Sequence, residues 1–125
     1  MLAQQQAIGH AFHITTDEVL TWNQIYTALA DAVGVEPDII HIPTDFIVKC
    51  EQSLEGGLTG DKSNSVIFDN TKIKAFVPDF KATIPFSQGV KRALEWFEED
   101  KRRQIINKQT NELLDRIIFK YEKSH

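Results

Sequence analysis

Apolar and polar positions along this chain follow two rhythms, and the change from one to the other marks its elements. Residues 12–15 alternate (Phe12, His13, Ile14, Thr15) and predict a short strand. Trp22, Ile25, Tyr26, Leu29, Ala30 and Val33 then recur at helical spacing. Thr21 stands where an N-cap belongs, Gln24 completes a capping box, and Gly34 is placed to end the helix in a left-handed turn. The apolar run at 39–42, closed by Pro43, predicts a second strand. Strand, helix and strand in about thirty residues spell a βαβ unit, with parallel strands and a right-handed crossover.

Beyond Pro43, Thr44 caps a predicted short helix through Gln52. Residues 55–64 (EGGLTGDKSN) concentrate Gly and polar turn formers and read as a loop. A brief strand is expected at 65–68 and a short helix over 69–76, stopped before Pro78. A longer helix over 86–99 should bury Val90, Leu94 and Phe97. The last, 108–121, should bury Leu113, Leu114, Ile117, Ile118 and Tyr121. Trp22 and Trp96 fall on apolar helix faces and are expected in the core. The fold class read from this pattern is α+β: a helix-rich small single domain, residues 1–125, with a short parallel βαβ element.

Composition narrows the classes of function. With 18 acidic against 14 basic residues the chain is net negative, which disfavours nucleic acid as a partner. The basic knot Lys101-Arg102-Arg103 follows Glu98-Glu99-Asp100, so its charge cancels locally. No apolar run approaches a membrane span, and Met1–Gln6 has neither a basic start nor an apolar stretch of the leader type. A single cysteine, Cys50, allows no internal disulfide, in keeping with a cytoplasmic location. His13 and His41 would share one side of a parallel strand pair, but no third ligand stands at metal-site spacing. They read as a half-exposed strand face.

The order of several short motifs carries a resemblance. Gly9-x-x-Phe12-x-Ile14 precedes the Thr21-capped helix that ends at Gly34. Asp69-x-Thr71-Lys72 follows, then Phe76, Pro78, and a Gly89-containing helix closing on Trp96. Across residues 7–100 the chain resembles the C-terminal, substrate-binding part of the extended short-chain dehydrogenase/reductases, the NAD-dependent epimerase/dehydratase family. That resemblance implies a parent enzyme acting on a sugar nucleotide with NAD or NADP. It also implies that loop 58–68 faces the nucleotide, with Lys62 near the diphosphate and Ser63, Asn64 and Ser65 as hydrogen-bond donors. Asp69 and Lys72 match the family pattern as well, although Asp69 is also placed to cap the short helix.

Two hallmarks of the family are missing. No Gly-rich turn follows a strand to receive a pyrophosphate; Gly56-Gly57-Leu58-Thr59-Gly60 has the wrong spacing. No tyrosine has a lysine four residues on: Tyr26 has Ala30 there and Tyr121 has His125. The chain alone is therefore expected to be catalytically inactive, to hold no cofactor, and to lack the Rossmann half. A parted half should expose apolar surface where its mate packs, and so be open to oligomerisation. Two rivals remain: a free-standing, non-enzymatic ligand-binding or protein-interaction module with a closed core, and an RNA-binding relative.

Overall fold

The computed structural model of the protein describes residues 5–124. Met1 to Gln4, part of the stretch read for a leader, and His125, four residues after Tyr121, lie outside the described residues. Five α-helices carry the architecture: α1 (Trp22–Val33), α2 (Thr44–Cys50), α3 (Thr71–Phe76), α4 (Phe86–Glu98) and α5 (Lys108–Glu122). Two compact units result. The first unit combines Met1–Pro37 with Val66–Trp96; the second combines Asp38–Ser65 with Phe97–His125.

Local chemistry sets the helix ends. Thr21 Oγ1 accepts from Gln24 N at 3.3 Å, and Gln24 Oε1 accepts from Thr21 N at 2.8 Å, so the capping box is closed in both directions. At the other end Gly34 adopts φ 75°, ψ 32° and donates to Ala30 and Asp31 carbonyls. A side chain there would meet no atom but would strain the backbone. Thr21→Ala should cost about 1 kcal/mol in a thermal melt followed by circular dichroism. An unchanged melt would mean that α1 is held by its packing alone. Asn107 caps α5 by accepting from Thr110 N at 3.1 Å. At α2 the cap position falls on Pro43, and Thr44 is the first helical residue with no side-chain cap.

The α+β reading with a βαβ element is corrected here. None of the described residues lies in a β-strand, including those at 12–15, 39–42 and 65–68. A strand is defined by a partner, and among the described residues no peptide group in 12–15 or 65–68 bonds to another peptide group. Without that strand pair, His13 and His41 do not share a sheet face. The expected loop at 55–64 is also more ordered than expected: Gly56–Gly60 coils as a π-helical turn and Asp61–Ser63 as a 3-10 turn.

The core is small. Among the described residues Ala30, Ile73, Val90 and Ile117 are the buried apolar ones, and Ile73, at 1% exposure, is the most enclosed. The expected stripes are covered only in part. Phe97 of α4 and Leu114 of α5 are exposed, while Leu94, Leu113, Ile118 and Tyr121 are half-buried. Trp22 and Trp96 are surface residues, at 71% and 58% exposure, not core. On α1 the Trp22 and Tyr26 rings lie 6.2 Å apart on the outside, with Val33 further along.

The accessible surface, 10465 Å², gives these exposures a scale. A compact monomer of this mass exposes about 6,800 Å². Two independently compact bodies sharing the mass would still expose only about 8,200 Å². The surplus over even that bound is roughly 2,000 Å², and nineteen large hydrophobic residues are exposed among those described.

Candidate functional site

In the first unit, α3 is the anchor to which the segment ahead of α1 is tied. The cap position of α3 falls on Asn70 with no side-chain cap bond, not on Asp69 as expected. Asp69 stands one residue ahead, where its carboxylate accepts from Thr71 N at 2.8 Å and from Thr71 Oγ1. Those bonds, the side-chain hydroxyl first, hold the Asp69 pKa below its ordinary value. Asn70 is the buried polar residue among those described. Its Nδ2 donates to Thr15 O at 3.2 Å and to Asp17 Oδ1 at 2.9 Å. Lys72 Nζ donates to Ala11 O at 2.9 Å and lies 5.0 Å from the centroid of the Phe12 ring. Phe12 in turn meets Phe76 edge-on at 4.9 Å. Glu18 accepts from Phe86 N at 2.7 Å, closing the first turn of α4.

Lys74 completes the tie by pairing with Asp17 at 2.6 Å. The bond from Lys74, seconded by Asn70, lowers the Asp17 pKa from its ordinary 3.8. A depressed carboxylate pKa stabilises the fold above the unfolded value, and that contribution is lost as pH falls through the folded one. Stability should therefore be level above about pH 4 and decline below it. Asp17→Asn should flatten that acid limb, as read from urea midpoints between pH 5 and 2.5. An unchanged limb would assign the acid sensitivity to other carboxylates.

A groove of about 470 Å³ opens between residues 15–20 and 66–70 of this unit. Val19, Ile67, Phe68 and Phe86 supply apolar wall, while Asp17, Glu18 and Asp69 stand on its lining with no Lys or Arg among the lining residues. That charge suits a cation or a neutral group and repels a diphosphate. In the second unit a cavity of about 460 Å³ lies against Glu51, Gln109, Glu112, Leu113 and Arg116. Arg116 reaches Glu51 at 3.1 Å, so that cation is already engaged. Bonds from Ser53, with Arg116 adding to them, lower the Glu51 pKa.

The six residues named from the sequence do not fall in one unit. Lys62, Ser63, Asn64 and Ser65 belong to the second, Asp69 and Lys72 to the first. Lys62 and Ser65 are exposed. Ser63 Oγ donates to Gly60 O at 2.7 Å and accepts from Asn64 Nδ2 at 3.2 Å, so both side chains have local partners. Asp69 and Lys72 likewise hold partners within the chain. Missed from the sequence were Asn70 and the pair Asp17-Glu18, which fasten the segment before α1 to α3 and α4. Asn70 carried no signal of its own. Asp17-Glu18 did, as paired acids just ahead of a capped helix.

No group of three or more His, Cys, Asp or Glu residues among those described could hold a metal ion. The residues present do not fit a dinucleotide either. The Gly56–Gly60 turn is π-helical and follows the 3-10 turn Gln52–Leu54 instead of a strand, so it offers no strand-to-helix nest for a pyrophosphate. Among the described residues no helix is long and apolar enough to cross a membrane. Comparison with protein-family models, with curated proteins and with solved structures finds no match for this chain.

Proposed function

We propose that this chain is the substrate-binding portion of an NAD(P)-dependent sugar-nucleotide epimerase, dehydratase or reductase, inactive until a cofactor-binding half is joined to it. The motif order from Gly9 to Trp96 supports the reading. The observation that carries it is the exposure of nineteen large hydrophobic residues among those described, in a chain whose accessible surface runs some 2,000 Å² beyond what separate compact bodies would leave. A free-standing module would have closed over its core. This chain leaves Ile14, Trp22, Val66, Ile67 and Phe68 to solvent, as a domain core cut in half would.

In this reading NAD or NADP accepts a hydride from the sugar, and both the cofactor and its acid/base pair reside on the other half. This chain selects the sugar nucleotide. Lys62 is the candidate for the diphosphate, a point charge without the fork of an arginine, with Ser63, Asn64 and Ser65 beside it. The acidic groove of the first unit is no place for that diphosphate.

An antibody raised against the chain tests the reading in source cells. Detection of a single species of at least about twice this mass, the size of a two-domain protein, is the expected result. A single band at the chain's own 14.3 kDa would overturn it in favour of an interaction module.

A further inference from the structure

Residues 11–18 are tied to α3 and α4 by side chains instead of a backbone ladder. Among the described residues no peptide group in 11–18 bonds to another peptide group, and no residue of the segment is buried. Lys72 holds Ala11 O, Asn70 holds Thr15 O and Asp17, Lys74 pairs with Asp17, and Glu18 holds Phe86 N. The Phe12 ring meets Phe76 edge-on at 4.9 Å. All of these partners lie in the first unit.

A segment held in this way opens locally at low cost, because it buries few apolar contacts and its hydrogen bonds face solvent. The ties also depend on one another. Asp17 Oδ1 accepts from Asn70 at 2.9 Å and from Lys74 at 2.6 Å, and the same Asn70 amide reaches Thr15 O. Loss of one bond therefore weakens its neighbours, as in any shared network. Upstream, Gly9 turns at φ 79° with open space about it, a conformation that glycine takes without strain. Downstream, Thr21 is fixed by the capping box of α1.

We infer that residues 11–18 are a strap that lets go of α3 and α4 as one piece, ahead of the unfolding of the unit. Thr15 to Glu18 line the groove together with Val66 to Asn70. Release of the strap takes one wall from the groove, and its closure restores that wall. The release involves the first unit alone and requires no cofactor half.

The Phe86 amide reports the state of the strap. It stands at the start of α4, where amides have no carbonyl partner within the helix, and Glu18 is its partner. Amide hydrogen exchange of the intact chain, resolved by residue at increasing low urea, is compared at Phe86 and at Leu94 in the interior of α4. Phe86 should be protected in the parent chain, and its exchange should scarcely respond to urea. Leu94 exchange should climb with urea, since it waits for a larger opening. Lys74→Met touches the strap at Asp17 and not at Phe86, yet it should speed Phe86 exchange about two- to fivefold. Asn70→Ala should speed it about tenfold or more. An unprotected Phe86 amide overturns the inference, because the strap would not be fastened. Parallel urea responses at the two amides overturn it, because the strap would leave only as the unit unfolds. An unchanged Phe86 rate in both variants overturns it as well, because Glu18 would be letting go on its own.

Discussion

Ile73→Ala should destabilise the first unit by about 2–5 kcal/mol, the largest effect expected of any single truncation in this chain. Ile73 is 1% exposed and is the one large side chain among the described residues that is fully enclosed. It sits on α3, a six-residue helix far too short to persist without tertiary support. When Ile73 goes, the fastenings on α3 go with it: Asn70 at its start, Lys72 on Ala11 and Lys74 on Asp17. Ile105→Ala is the control, since Ile105 is 85% exposed and should shift stability by less than about 0.5 kcal/mol. Urea denaturation followed by circular dichroism measures both. A cost for Ile73→Ala below about 1 kcal/mol would mean that the unit is not organised around this residue.

Asn70→Ala should cost about 1–3 kcal/mol. The bonds from its amide to Thr15 O and Asp17 Oδ1 join parts of the chain that are 55 and 53 residues apart, in a site nearly closed to water. Their loss leaves the Thr15 carbonyl without its protein partner. Asn70→Asp separates hydrogen bonding from mere volume. The new carboxylate would face Asp17, and like charges at that distance disfavour ionisation of both. The variant should therefore lose stability as pH rises above about 4, the reverse of the acid limb of the parent chain. Urea midpoints at pH 3.5 and 7 decide it, and equal destabilisation at the two would remove the charge from the account. Asn70 is the N-cap of the short helix that carries Ile73, so the double variant should cost less than the two separate losses together.

The helices were legible because their signals are local. Thr21 with Gln24 and Gly34 mark both ends of α1 within fourteen residues of sequence, and α4 and α5 follow their apolar periodicity closely. Strands were misread because alternation describes a surface that would pair, not the presence of a partner. Residues 12–15 and 65–68 have the composition of strands but no ladder. Trp22 and Trp96 were misplaced for a related reason. Periodicity tells which residues share a helix face; whether anything covers that face is a tertiary fact. Of the candidate site, Asp69 was expected as the helix cap, but the cap position falls one residue later, on Asn70. The buried Asn70 was not readable, because its partners lie more than fifty residues away.

The division of the first unit into two stretches has a consequence during synthesis. Residues up to Pro37 leave the ribosome well before Val66–Trp96, the stretch with which they fold. At a translation rate of about 5–20 residues per second, that interval lasts roughly 3–12 s, long against the microseconds in which α1 itself can form. For those seconds α1 carries Ile25, Leu29 and Ala30, the residues its unit covers, with nothing to rest on. A nascent chain of this order is a natural client for a ribosome-associated chaperone. A pause in synthesis after residue 37 has emerged, and before residue 96 has, would lengthen its exposure.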